Sequence, residues 1–422
     1  MDRSKRIFIS DIHMGTEESV KKKYGWFWTK KAELLGKFLT QIANDNTVAE
    51  LIIVGDLFDG WVVPYDTSPL TQNSNQFETI ANACQNQPVI QGLKQLIATE
   101  GITVSYVPGN HDMLIQSGEL LKILPGINAI IDPNVTGVGI YRSGAVHAEH
   151  GSCYDLFNAP DTYDTLQGAT HHLPIGFFVA RSQAQGVVNG HPVSKAGFYN
   201  EIGALWDTWN RNDPLVTNVY DAIAELSKTA NQTIVMDGLD GIDMNVDNTQ
   251  EVTDSYGNVF DEWDQNMVDY VSSTIAVIGS TGMLRPAALI KYYSLCSNNI
   301  AIFGHTHKAE IKSGWLPGTD DSEELLRISR DKNHPERQDA LETLLKLPET
   351  DESGASGFIY VNTGTWITGD NGTADANQRA NYVVIEEKET STYASLFNYN
   401  GELYAPSSQM GNTYYVNNEI TC

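Results

Sequence analysis

Hard metal-ligating residues fall at the ends of apolar strand-like runs, again and again along the chain, and this pattern constrains the fold most. Arg6–Ser10 runs into Asp11-Ile12-His13. Glu50–Val54 runs into Gly55-Asp56, with Asp59 close behind. Ile102–Val107 is followed by Gly109-Asn110-His111-Asp112. Gly144–Ala148 ends near His150-Gly151, and Ile300–Phe303 runs into Gly304-His305-Thr306-His307. The first three runs are separated by stretches of helical spacing at Lys30–Ala43 and Ile80–Ala98, the latter with a break or a new start at Pro88. Strands that alternate with helices predict an α/β core with helices outside. In such sheets the carboxyl ends of the strands are where sites assemble. The glycines beside the ligands suit backbone that turns sharply and approaches closely.

The ordered set DxH, GDxxD, GNHD, HG and GHTH resembles the calcineurin-like metallophosphoesterase superfamily. The resemblance implies a four-layer αββα sandwich of two mixed β-sheets flanked by helices, with residues 1–422 as one catalytic domain. It also implies two divalent metal ions. Asp11, His13, Asp56 and His307 are expected on one ion and Asp56, Asn110, His150 and His305 on the other, so that Asp56 bridges. Mixed oxygen and nitrogen donors suit Mn, Fe or Zn better than Mg or Ca. The implied reaction is hydrolysis of a small phosphomonoester or phosphodiester by a nucleophile derived from a water between the ions. His111 is expected to contact phosphate and protonate the leaving group, oriented by Asp59.

Within the superfamily, Gly60-Trp61 stands where the Ser/Thr protein phosphatases carry Arg-Gly, and Asp112 stands in place of their Glu. Gly55-Asp56-Leu57-Phe58 and Trp61 look more like lipid-precursor pyrophosphatases, but His111 stands where those usually carry Arg. The resemblance therefore stops at the superfamily. The competing reading is a non-catalytic scaffold of the same fold that binds protein partners. Retention of every ligand position argues against it.

Other residues carry weaker signals. His147 is expected to face away from His150, and Trp366 to pack in the core. Asp112 is read as structural, with a helix N-cap as a candidate role, Cys153 as no ligand, and the His171-His172 pair as a surface feature. Residues 155–272 read as a largely helical cap insertion, with Tyr199, Trp206 and Trp209 expected near the metals. Residues 237–264 form an acidic loop-like stretch whose role the sequence does not reveal. A second, solvated surface insertion is expected over 314–357, with a helix over 336–347. Lys21, Lys22, Lys23, Lys30 and Lys31, interleaved with Tyr24, Trp26, Phe27 and Trp28, read either as a solvated face or as a loop at the mouth of the site.

The net charge of −26 disfavours bare nucleic acid and anionic membrane as partners. Four cysteines without a CxxC fit neither a disulfide framework nor a zinc ribbon. The longest apolar stretch, residues 275–290, is interrupted by Gly279, Gly282, Arg285 and Pro286, which argues against a membrane span. The N-terminus lacks an apolar leader core and a cleavage site, so the expectation is a mature start and a cytoplasmic protein.

Overall fold

The computed structural model describes residues 3–63, 76–133, 137–154, 284–331, 333–367 and 379–418, with isolated positions at 158, 180, 184, 187 and 188. The expected cap over 155–272 therefore lies almost wholly outside the described residues. So do His171, His172, Tyr199, Trp206, Trp209 and the acidic stretch 237–264.

Two mixed sheets form the centre. The strands of the first are β1 (Lys5–Ile9), β2 (Val48–Val54), β3 (Thr103–Val107), β4 (Asn128–Ala129), β10 (Asn381–Glu387), β11 (Ser391–Asn398) and β12 (Gln409–Asn417). Their order is β12-β11-β10-β1-β2-β3-β4. The second sheet comprises β5 (Tyr141–Ser143), β6 (Val146–Ala148), β7 (Asn299–Phe303), β8 (Glu310–Gly314) and β9 (Phe358–Asn362), in the order β5-β6-β7-β9-β8. In the first sheet β1, β2, β3 and β4 run parallel. In the second, β6, β7 and β9 do. Parallel neighbours bring their carboxyl ends to one edge, and each ligand motif follows one of these strands.

Side-chain alternation accounts for the layers. Phe8, Ile52 and Val54 face one way and meet Ile300, Ile302, Ile359 and Val361 of the other sheet in one apolar cluster. Ile7, Ile9, Leu51 and Ile53 face the opposite way. They pack under α2 (Thr29–Asn44) and α4 (Gln87–Ala98). Ala301, Phe303, Phe358 and Tyr360 point outward from the second sheet. Those side chains meet α6 (Leu284–Tyr292), α7 (Asp320–Arg330) and α8 (Arg337–Leu345). The result is helices, sheet, sheet, helices: the αββα sandwich expected from the sequence. Short helices α1 (Glu17–Lys21), α3 (Gln76–Asn82) and α5 (Ser117–Ile123) complete the described set.

Of two expectations about helices, one is met and one changes. Pro88 does mark a new start, since α4 begins at Gln87 and α3 has already ended at Asn82. The stretch 314–357 is more than a solvated surface. Its apolar positions Leu326, Leu341 and Leu344 are buried in the core that covers the second sheet, and α7 was hidden in the sequence by its charged outer face. No helix among the described residues is long and apolar enough to cross a membrane.

Candidate metal centre

The segments leaving β1 and β2 are laced together before any side chain is considered. The backbone N–H groups of Ile12 and His13 both donate to the Asp56 carbonyl at 2.9 Å, and Asp59 N–H donates to the Met14 carbonyl at 2.8 Å. Asp112 fastens the β3 segment to the same place. Its carboxylate accepts N–H from Gly109 at 2.8 Å, Leu57 at 2.8 Å, Phe58 at 3.2 Å and Asp56 at 3.3 Å. Its role is structural, as expected, but it is a clasp between two loops and not a helix N-cap. The short side chain finds four orphan donors in the strand-end loops, and α5 begins only at Ser117.

Backbone strain concentrates here. Asp11, His13, Asp56, His305 and His307 all adopt left-handed backbone, with φ of 53°, 55°, 54°, 69° and 58°. Such conformations cost roughly 1–3 kcal/mol each and persist where the surroundings over-determine them. Asp and His tolerate this region better than branched residues do. Close approach adds a second demand. A β-carbon on Gly109 would lie 2.2 Å from Asp56 Oδ1, and one on Gly55 would lie 2.3 Å from His150 Nδ1.

The polar atoms then converge. His307 Nε2 is 3.2 Å from Asp11 Oδ1, and His13 Nε2 is 3.6 Å from Asp56 Oδ2. His150 Nε2 is 3.2 Å from Asp56 Oδ2 and 3.0 Å from Asn110 Oδ1. His305 Nδ1 is 3.2 Å from Asn110 Oδ1. His13 and His307 turn their Nε2 atoms towards each other at 2.9 Å. Two neutral imidazole acceptors would repel at that distance unless a proton or a cation lay between them. Asp11, His13 and His307 form one group able to hold a metal ion. Asp11, Asp56 and His150 form another, and His13, Asp56 and His111 a third. The donor set thus fits divalent cations, with carboxylate, amide and imidazole groups in reach of shared points.

Neighbouring groups orient the rings. His150 Nδ1 lies 2.9 Å from the Val54 carbonyl and donates to it, which leaves Nε2 to face Asp56. Burial opposes charge on His150, but Asp56 outweighs it and pushes its pKa up to about 10. His13 goes the other way: burial and the neighbouring His111 hold it well below the ordinary imidazole range. His305 N–H donates to Asp11 Oδ2 at 3.0 Å. Thr365 Oγ1 and Trp366 N–H both donate to the Asp11 carbonyl, at 2.7 and 3.0 Å. The segment after β9 therefore holds Asp11 in place while the Trp366 ring sits in the core against Phe38. The sequence suggested only the second of these roles.

His111 is nearly enclosed. Its backbone N–H donates to Asp56 Oδ1 at 2.8 Å, and Nδ1 lies 2.9 Å from Asp59 Oδ1. Trp61 stacks on its ring at 4.5 Å with planes 27° apart. Trp26 lies 5.2 Å away on a tilted plane. Burial disfavours the charged ring, but Asp59 and Asp56 prevail and its pKa is raised.

The remaining candidates stand apart. His147 stacks on Tyr292 and bonds Asn299 at 3.2 Å, away from the centre. The Cys153 thiol sits beside Glu149, and burial pushes its pKa up to about 12. Glu149 itself was not foreseen. It is buried and accepts from Tyr154, Tyr292 and Lys291 one residue before His150. The lysine run divides. Lys21, Lys22, Lys23 and Lys30 are exposed, and Lys22 pairs with Glu18 at 2.6 Å. Lys31 is buried and donates to the Arg379 carbonyl at 2.7 Å.

A family model described as calcineurin-like phosphoesterase matches residues 4–309. That span covers most of the chain and every motif above, and the chain belongs to this family. No curated protein matches the sequence.

Proposed function

We propose that the protein is a dinuclear metal-dependent phosphoesterase acting on a small phosphorylated substrate. The observation that carries this reading is the convergence of Asp11, His13, Asp56, His150 and His307 donor atoms at the carboxyl ends of parallel strands. Asp11, His13, Asp56 and His307 would hold one ion, and Asp56, Asn110, His150 and His305 the other. When bound, two such ions supply a nucleophile from water at neutral pH and offset charge on the phosphoryl oxygens. Mn, Fe or Zn suits the mixed donors best.

The chain's own residues do the rest. Asp56 presents one oxygen towards His13 and His150 and the other to His111 N–H, so its carboxylate is fixed before a substrate arrives. His111 holds a proton on the ring nitrogen opposite Asp59. As water loses one proton to solvent and attacks phosphorus, the P–O ester bond breaks and the His111 proton passes to the departing oxygen. Asp59 then faces a neutral ring whose proton is restored from solvent.

The test is a panel of phosphomonoesters and phosphodiesters offered to metal-reconstituted protein, with Asp56→Asn alongside. Turnover with wild-type protein, and loss of both turnover and bound metal in the variant, is the expected result. Normal metal content and full activity in Asp56→Asn would overturn the dinuclear reading. Stable metal binding with no turnover of any ester would favour the scaffold alternative.

A further inference from the structure

Trp26 occupies an unusual place for so large an apolar side chain. Its chain neighbours Tyr24 and Phe27 are buried, whereas Trp26 is only half-buried. The segment around it is pinned: Gly25 N–H donates to the Ser19 carbonyl at 3.1 Å, and Trp28 Nε1 donates to the Gly25 carbonyl at 3.0 Å. A β-carbon on Gly25 would come within 2.5 Å of Ser19 Oγ, so the turn is also tightly packed. The indole is thus held in place without being taken into the core. It stands against three imidazoles at once, with ring centroids 4.9 Å from His13, 5.2 Å from His111 and 6.0 Å from His307.

The rings around His111 differ in what they can offer. Trp61 and His13 are fully buried. Of the three aromatic rings that contact His111 among the described residues, Trp26 alone keeps surface open to solvent. A leaving group that takes a proton from His111 must lie beside that ring. Of the aromatic surfaces beside His111 among the described residues, the indole of Trp26 is the one within a leaving group's reach from solvent.

We propose that Trp26 is a specificity-determining residue that forms the wall of the leaving-group site, and that the substrate class is a phosphoester whose leaving group carries a planar aromatic ring. This rests on the phosphoesterase reading above. An indole face or edge pairs with a second aromatic ring in offset or edge-on geometry and gains beyond simple area burial. It offers a polyol or a short alkyl alcohol no equivalent partner.

The experiment uses the full-length, metal-loaded protein and two phosphate esters whose leaving alcohols are matched in acidity, one aryl and one fluoroalkyl. Trp26→Ala should lower kcat/KM for the aryl ester about 10-fold, in line with the loss of one stacking partner. The effect should appear mainly in KM, with the fluoroalkyl ester changed less than about 2-fold. Trp26→Leu keeps apolar bulk without the ring and should behave like Ala, while Trp26→Phe should recover most of the loss. Metal content and far-ultraviolet circular dichroism of each variant confirm that centre and fold persist. Equal losses for both esters, or full rescue by Leu, would overturn the specificity role while leaving the phosphoesterase reading intact. Wild-type protein that turns over neither ester nor any other in the panel would bring down both.

Discussion

His111 Nδ1 lies 2.9 Å from Asp59 Oδ1, and the same carboxylate oxygen also accepts N–H from Val62 at 2.9 Å and from Trp61 at 3.2 Å. The carboxylate is therefore fixed by backbone before it meets the ring. Burial alone would drive His111 towards the neutral form, and the nearby Asp59 and Asp56 charges reverse that. Asp59→Asn removes one of the two charges and leaves the burial. The His111 pKa should fall, and the acid form should be lost at lower pH than in the wild type. In a pH–rate profile the basic limb should move to lower pH, with metal content unchanged. A basic limb that stays in place would mean that it reports some other group.

A second prediction concerns His111 itself. His111→Ala should lower kcat about 10²–10⁴-fold, the usual loss for a missing acid catalyst. The deficit should shrink for esters of acidic alcohols, which leave without help. Kinetics across a series of leaving groups measures this as a steeper dependence on leaving-group pKa in the variant. Parallel slopes would assign His111 to phosphate binding alone.

Much of this centre was legible in the sequence because its parts are local. Strand, glycine and candidate ligand follow one another within a few residues, and strands buried on both faces show as short continuous apolar runs. Asp59 and His111 could be paired only through the resemblance of GDxxD and GNHD to the family's motifs, and the 2.9 Å contact bears that pairing out. What stayed hidden depends on distant partners. The Asp112 carboxylate serves donors 54, 55 and 56 residues away, and no local signal distinguishes that clasp from a helix cap. Trp26 was visible as one of several aromatics in a basic stretch, but not as the one turned towards the imidazoles. α7 was masked by its charged outer face, although Thr319 accepts Ser322 N–H as its N-cap and the acidic first turn suits a helix start. The left-handed backbone at Asp11, His13, Asp56, His305 and His307 leaves no trace in composition, since Asp and His occur in every kind of loop.

Metal binding should release protons. With no cation present, His150 has its pKa pushed up to about 10 by Asp56, against the opposing effect of burial. Around neutral pH the ring is then charged, and a cation must displace that proton to reach Nε2. Affinity should therefore rise with pH, by up to about tenfold per unit for each proton released. Calorimetry in buffers of different ionisation enthalpy counts the protons directly. Binding with no proton release between about pH 6 and 8 would show that His150 is already neutral.

The last prediction concerns the closeness of the backbone to the centre. Gly109 precedes Asn110, and its Cα faces Asp56 so directly that a β-carbon would lie 2.2 Å from Oδ1 and 2.6 Å from the backbone nitrogen. Both atoms are committed: Oδ1 accepts from His111 N–H, and the nitrogen donates to Asp112. A methyl group there cannot be accommodated by turning a flexible side chain aside. The Asp56 carboxylate and the loop carrying Asn110 must move apart, and Asp56 is shared by two of the three groups able to hold a metal ion. The sheets are held by apolar clusters on both faces, away from this contact, so the fold should survive with a loss of about 1–3 kcal/mol, typical of overpacking. Metal affinity should fall much further, since a ligand displaced by an ångström loses its shared geometry. Gly109→Ala should therefore show a near-native circular dichroism spectrum with strongly reduced metal content. Full metal occupancy in that variant would mean that Asp56 does not need the position seen here to hold a cation.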